Sequence, residues 1–141
     1  MKLQLGPFDT TLHIRSRDHF RAICREAALQ ELAPDTPPRR WEAAIGRFYQ
    51  LLRLAPVTEA VDRAYLAGEP AFSALVIIPD ESVPEALAVC VELQQLQEEL
   101  ERWTWEADAG LLAFSEDIHR YDAAFLDQAR AQLEAEAPPP A

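Results

Sequence analysis

The sequence predicts a mainly α fold, a bundle of four main helices plus one short helix, with a minor two-stranded β element. Three observations support this class: helix-like spacing of apolar residues in several segments, proline and cap residues between those segments, and two short β-favouring runs. The longest segment carries one apolar stripe at alternating spacings of three and four residues, which places the stripe on one helix face. This stripe consists of Ala86, Val89, Leu93, Leu96, Leu100 and Trp103.

The β element is predicted from two short runs. Residues 10–15 alternate apolar and polar side chains, as a half-buried strand does. Residues 2–5 alternate in the same way, which leaves a small hairpin around Gly6 and Pro7 open. The run 72–78 is rich in β-favouring residues and is too short for a buried helix. We therefore expect 10–15 and 72–78 to pair, because an isolated strand leaves its backbone groups unmatched.

Capping residues and prolines set the helix boundaries. Pro37 and Pro38 suit the first turn of a helix, because the missing proline amide has no bond to lose there. Gly68 is typical of a helix end. The helices are predicted over 17–33, 38–54, 58–67, 83–106 and 116–133. Residues 1–134 then form a single helical domain, and residues 135–141 form a disordered, Pro-rich tail.

The chain has a formal net charge of −11, unevenly distributed along it. Residues 1–63 carry ten Lys and Arg against eight Asp and Glu, whereas residues 64–141 carry three against sixteen. Nucleic acids bind clustered cations, so this excess of acid argues against a nucleic-acid partner and favours a basic protein. No apolar run approaches the roughly 18 residues of a membrane span, and no signal-peptide core follows Met1. We therefore expect no membrane association and a cytoplasmic location.

Cys24 and Cys90 are expected to be small buried hydrophobes. They lie far apart, outside any C-x-x-C pair, and each falls on the apolar side of a predicted helix. This separation is not typical of a metal site or a redox pair, so we expect both cysteines to serve as buried apolar side chains.

Two tryptophans near the end of the long helix are candidate partner-binding residues. Trp103 continues the apolar stripe, and Trp105 lies about 200° further around the helix, given about 100° per residue. Trp105 either faces outward, as a binding anchor does, or folds under the segment that follows, and the sequence leaves both open. Exposed apolar surface at this end favours a homodimer over a monomer, although nearby acids would repel each other across a two-fold contact.

Arg17, Arg21 and Arg25 form a second set of candidate partner-binding residues. They are spaced four residues apart and share one flank of the predicted first helix. With Arg15, Arg39 and Arg40 they offer a basic patch for phosphate or nucleic acid. The favoured alternative is pairing within the chain, because the carboxylates of the later half need counter-charges and bind arginine in a fork geometry.

Glu116 and His119 are the candidate metal ligands. Their spacing matches the Glu-x-x-His arrangement of carboxylate metal bundles, but a second such motif is absent from the sequence. Acids at this position also stabilise the start of a helix, and this alternative is favoured. We therefore predict no metal, no cofactor and no catalytic residue, with a small metal-dependent enzyme of the helical-bundle type as the alternative function.

The run Leu12-His13-Ile14-Arg15-Ser16-Arg17-Asp18-His19-Phe20 resembles the opening of a family of short, uncharacterised bacterial proteins. Further matching positions are Asp62, Ala64-Tyr65, Gly68-Glu69, Pro79, Leu111-Leu112 and Tyr121 to Leu126. The resemblance covers residues 10–134 and implies an accessory role beside regulators that switch sigma factors through an anti-sigma kinase and its antagonist. The function we predict is a non-enzymatic protein-interaction or regulatory module, with that bacterial stress or sigma-factor role as its finer form.

Overall fold

The structure, a computed structural model, describes residues 1–9, 33–53, 59–60, 63–64, 66–69, 71–104 and 124–136. In chain order these residues form strand β1 (Lys2–Asp9), helix α1 (Pro37–Leu51), strand β2 (Ala71–Ile77), a 3-10 turn (Asp80–Ser82), helix α2 (Val83–Thr104) and helix α3 (124–136). Helical backbone also occurs at 59–60, 63–64 and 66, and Gly68, with a φ of 79°, follows it. None of the helices described here is both long enough and apolar enough to cross a membrane.

The predicted bundle of four main helices plus one short helix is wrong for this part of the chain. The described residues contain three long helices and a two-stranded sheet. An apolar stripe shows which face of a helix is buried, but it does not show what covers that face. Here the sheet contributes Leu3, Leu5, Ala74 and Val76 to the same core as the helix stripes. The predicted helix over 17–33 lies outside the described residues.

Strand β2 pairs with β1, whereas residues 10–15 were its predicted partner. The two strands are antiparallel, with Leu3 opposite Val76 and Leu5 opposite Ala74. The inward side chains of both strands are therefore apolar and buried. Residues 10–15 themselves lie outside the described part of the chain.

Gly6 and Pro7 were expected to separate two strands, which is why β1 was not predicted as the partner of β2. Instead β1 continues through them, and its register against β2 shifts between Leu5 and Phe8. Gly6 has a φ of 117°, and a Cβ at this position would lie 2.7 Å from the carbonyl oxygen of Phe72. Glycine is therefore required there, and proline is tolerated where a strand is irregular.

Helix α1 begins where the prolines predicted. Thr36 is its N-cap residue, and Pro37 and Pro38 form its first turn. It ends at Leu51, earlier than expected, and Arg53 then adopts a left-handed conformation with a φ of 53°. The predicted apolar face is confirmed, because these residues are buried: Trp41, Ala44, Ile45 and Phe48.

The apolar stripe of α2 is confirmed as well. Ala86, Val89, Leu93, Leu96 and Leu100 are at most 2% exposed. Helix α3 adds four buried residues to the same core, namely Phe125, Leu126, Ala129 and Leu133. The ring of Phe125 meets that of Phe48 edge to face, with centroids 6.0 Å apart. Helix α3 extends to residue 136, two residues into the predicted tail, and 137–141 lie outside the described residues.

Candidate functional site

Two glutamines of α3 cover the outer edge of β1. The side chain of Gln132 accepts a hydrogen bond from the Gln4 amide at 2.6 Å and donates one to the Gln4 carbonyl at 2.5 Å. Gln128 accepts a hydrogen bond from the Gly6 amide at 2.8 Å. A glutamine side chain carries the same donor and acceptor as a peptide group, so this pair takes the place of a neighbouring strand. We call Gln128 and Gln132 the glutamine clamp.

The outer edge of β2, in contrast, is open as far as the described residues go. Opposite residues of an antiparallel pair direct their backbone groups either towards each other or both outward. Gln4 directs its amide and carbonyl outward to the clamp, and Leu75 lies directly opposite Gln4. The backbone groups of Leu75, and by alternation those of Ser73 and Ile77, therefore point outward. Within the residues that the structure describes, these groups have no hydrogen-bond partner.

Large apolar side chains are exposed along this strand. Leu75 is 56% exposed and Ile77 is 65% exposed, while the alternate residues of β2 face the core. A run that is apolar at nearly every position is typical of a strand buried on both faces, which is why the sequence did not predict this surface. A two-stranded sheet with its inner face on the core leaves the outer face to solvent. We call Ser73, Leu75 and Ile77, with their outward backbone groups, the open edge.

Acidic residues flank the open edge at both ends. Glu69 precedes β2, Asp80 and Glu81 follow it, and all three are exposed. Strand β2 itself carries no charged residue. Asp80 forms an ion pair of 2.8 Å with the Met1 amine, and this hydrogen bond and the positive charge of the amine hold the pKa of Asp80 below its usual range. The surface is therefore apolar at its centre, with exposed acids before and after the strand, of which Asp80 is paired with the Met1 amine.

Two arginines of the candidate basic patch pair with acids of the same chain. Arg40 binds Glu99 of α2 at 2.7 Å, and Arg39 lies 3.5 Å from Glu42 within α1. These contacts agree with the internal pairing that the charge distribution favours. The three predicted partner-binding arginines lie outside the described residues: Arg17, Arg21 and Arg25.

Trp103 is partly buried and packs against the core as the last residue of the α2 stripe. Part of the Trp103 side chain therefore belongs to the core. Trp105 lies outside the described residues, so the predicted pairing of the two tryptophans in one binding surface stays a prediction.

Cys90 is fully buried, as predicted. Its thiol donates a hydrogen bond to the Leu126 carbonyl at 3.4 Å, which joins α2 to α3. Burial raises the pKa of the Cys90 thiol to about 11, and the opposing effect of Arg130 is smaller. A neutral, buried thiol is a poor nucleophile and a poor metal ligand. Cys24 lies outside the described residues.

The candidate metal ligands Glu116 and His119 lie outside the described part of the chain. Among the residues that are described, no three or more His, Cys, Asp or Glu side chains gather in a group that would hold a metal ion. The prediction that the chain has no metal and no cofactor therefore stays a prediction.

No family model, curated protein or solved structure matches the chain. The resemblance to bacterial sigma-factor accessory proteins consequently stays a prediction.

Proposed function

We propose that this chain is a non-enzymatic protein-interaction module that binds a basic protein through the open edge of β2. The exposure of Leu75 and Ile77, on a sheet whose other face is buried, carries this proposal. Contiguous exposed apolar residues rimmed by polar groups are typical of protein-binding surfaces. The acids at both ends of β2 and the net charge of −11 favour a partner that carries Lys or Arg. A regulatory role in sigma-factor signalling is the finer form of the proposal and follows from the family resemblance alone.

The contrast between the two sheet edges supports binding at β2. The glutamine clamp already occupies the outward groups of β1. Proteins protect unused strand edges with charged side chains, prolines or a covering segment, because an exposed edge invites pairing. Strand β2 has the sequence AFSALVI and carries neither a charge nor a proline. An unprotected edge beside a protected one favours β2 as the contact surface.

A photo-crosslinking amino acid at position 77 tests the proposal in the native cell. We expect a covalent adduct with one partner protein from position 77 and none from position 95. Gln95 is the matched control because it is an exposed residue of α2, outside the sheet. Equal crosslinking from both positions contradicts the proposal.

The crosslinked partner is then purified and its affinity for the chain measured. Leu75→Thr combined with Ile77→Thr keeps β propensity and removes apolar contact area, so we expect the affinity to fall about tenfold. Leu66→Thr is the control, because Leu66 is 84% exposed and lies outside the sheet. This variant should bind as the wild type does. An affinity that the double substitution leaves unchanged contradicts the proposal.

A further inference from the structure

We infer that the open edge binds its partner by strand addition. An extended segment of another protein, with alternating apolar residues and a cation at each end, becomes a third strand beside β2. This inference rests on the proposed function and adds both the mode of binding and the chemistry of the bound segment. It is carried by the backbone groups of Ser73, Leu75 and Ile77, which all point to the same outer edge.

The spacing of these groups suits a strand and not an isolated side chain. Alternate residues of a strand lie about 6.8 Å apart, so the open edge offers three amides and three carbonyls in one row. An added strand bonds to such a row through its own backbone, whatever its sequence. Every second side chain of that strand then lies on the outer face of the sheet, beside Leu75 and Ile77. Apolar residues at alternate positions of the segment would cover both.

The flanking charges distinguish a foreign segment from a second copy of this chain. Antiparallel pairing of two copies brings the start of one β2 to the end of the other. In the register that places Leu75 opposite Leu75, the acid before one β2 comes to the same end of the sheet as the acids after the other. Like charges at the same end of a sheet repel each other, and here they would meet at both ends. A segment with Lys or Arg at both ends is instead attracted by the net charge of −11 and by the exposed acids that flank β2, so we assign the edge to a basic partner segment.

Two labelled peptides, KKVTVTVKK and EEVTVTVEE, test this inference by fluorescence anisotropy. We expect the basic peptide to bind the wild-type chain with a Kd at least about tenfold lower than the acidic peptide. Leu75→Pro should weaken binding of the basic peptide by about tenfold or more. The Leu75 amide points to the open edge, so proline removes a donor that only an added strand uses. Leu66→Thr is again the control and should leave the Kd unchanged.

Amide hydrogen exchange on the wild-type chain gives a second measurement that does not depend on how a proline variant folds. Saturation with the basic peptide should slow exchange of the Ser73, Leu75 and Ile77 amides. The amides of Ala74 and Val76 already pair with β1, so their exchange should not change.

Each remaining outcome overturns a defined part of the inference. Peptide binding without protection of the three amides overturns strand addition but leaves the proposed function standing. Equal affinity for both peptides overturns the charge requirement, and no binding of either peptide overturns the inference as a whole. A dimer in sedimentation that Leu75→Pro dissociates assigns the edge to a second copy. Crosslinking from position 77 tests the proposed function independently of all these results.

Discussion

Replacing Gln132 with alanine should loosen the sheet at one residue of β1. The Gln132 side chain makes two hydrogen bonds to the backbone of Gln4. Each such bond contributes about 0.5–1.5 kcal/mol net, and the lower half of that range applies because water reaches these partly exposed groups. The expected loss is therefore about 1–2 kcal/mol in the free energy of unfolding. In this variant the outer edge of β1 keeps one clamp hydrogen bond, which the Gly6 amide donates to Gln128.

Urea denaturation followed by circular dichroism measures this loss. Gln95→Ala is the matched control, since it makes the same chemical change at an exposed position of α2 without a backbone partner in the described residues. Amide exchange adds a residue-level measurement. The Gln4 amide should exchange faster in Gln132→Ala, whereas the Gly6 amide, held by Gln128, should keep most of its protection. A loss no larger than that of the control, or equal changes at Gln4 and Gly6, would refute the role of the clamp.

Gln132→Glu examines the same contact through pH. An ionised carboxylate accepts from the Gln4 amide but repels the Gln4 carbonyl, to which it has no hydrogen to donate. The protonated acid restores a donor, so the folded chain should raise the pKa of this Glu above its unfolded value of about 4.3. The stability contributed by the protonated side chain is then complete below pH about 4 and is lost as the pH rises through its raised folded-state pKa. A difference from wild type that is the same at pH 3 and pH 7 would contradict this account.

Three further predictions concern backbone strain and burial. Gly46→Ala should raise the free energy of unfolding by about 0.5–1 kcal/mol, because a Cβ there meets nothing within 4 Å and alanine favours the helix. Arg53→Gly should raise the free energy of unfolding by about 1 kcal/mol, because Arg53 has a φ of 53°, which costs less for glycine. Urea titration measures the stability of both variants. A loss of stability in either variant counts against its explanation. Native Cys90 should resist iodoacetamide at neutral pH. Burial raises the pKa of the Cys90 thiol from 9.0 to about 11. The thiol therefore makes its full contribution to stability below pH 9.0, and this contribution falls as the pH rises towards 11. Cys90→Ala should remove this pH dependence.

Periodicity predicted the helices well and their surroundings poorly. The stripes of α1 and α2 are buried as expected, because spacing on a helix determines which residues share a face. The pairing of β2 with β1 was not predicted, since Leu3 and Leu5 alternate as clearly as residues 10–15 do and local pattern carries no information on which strand pairs. Only the three-dimensional register identifies β1 as that partner.

The candidate site could not be predicted from the sequence, for a related reason. Gln128 and Gln132 have the composition of an ordinary solvated helix face, and nothing in their spacing indicates a strand edge as their partner. Leu75 and Ile77 belong to an apolar run, which predicts burial and not exposure. Their exposure follows from the number of strands in the sheet and from its position over the core, which local sequence does not encode.

The two edges of the sheet separate stability from binding within one small element. The outward groups of β1 are bonded by the glutamine clamp, so substitutions there should lower the free energy of unfolding. The outward groups of β2 bond to nothing in the described chain, so no hydrogen bond among the described residues is lost when Leu75 is replaced by proline. A partner strand therefore gains bonds without breaking any that hold the fold together. For this reason edge variants that fold normally but do not bind are the result that strand addition requires, whereas clamp variants test the stability of β1 alone.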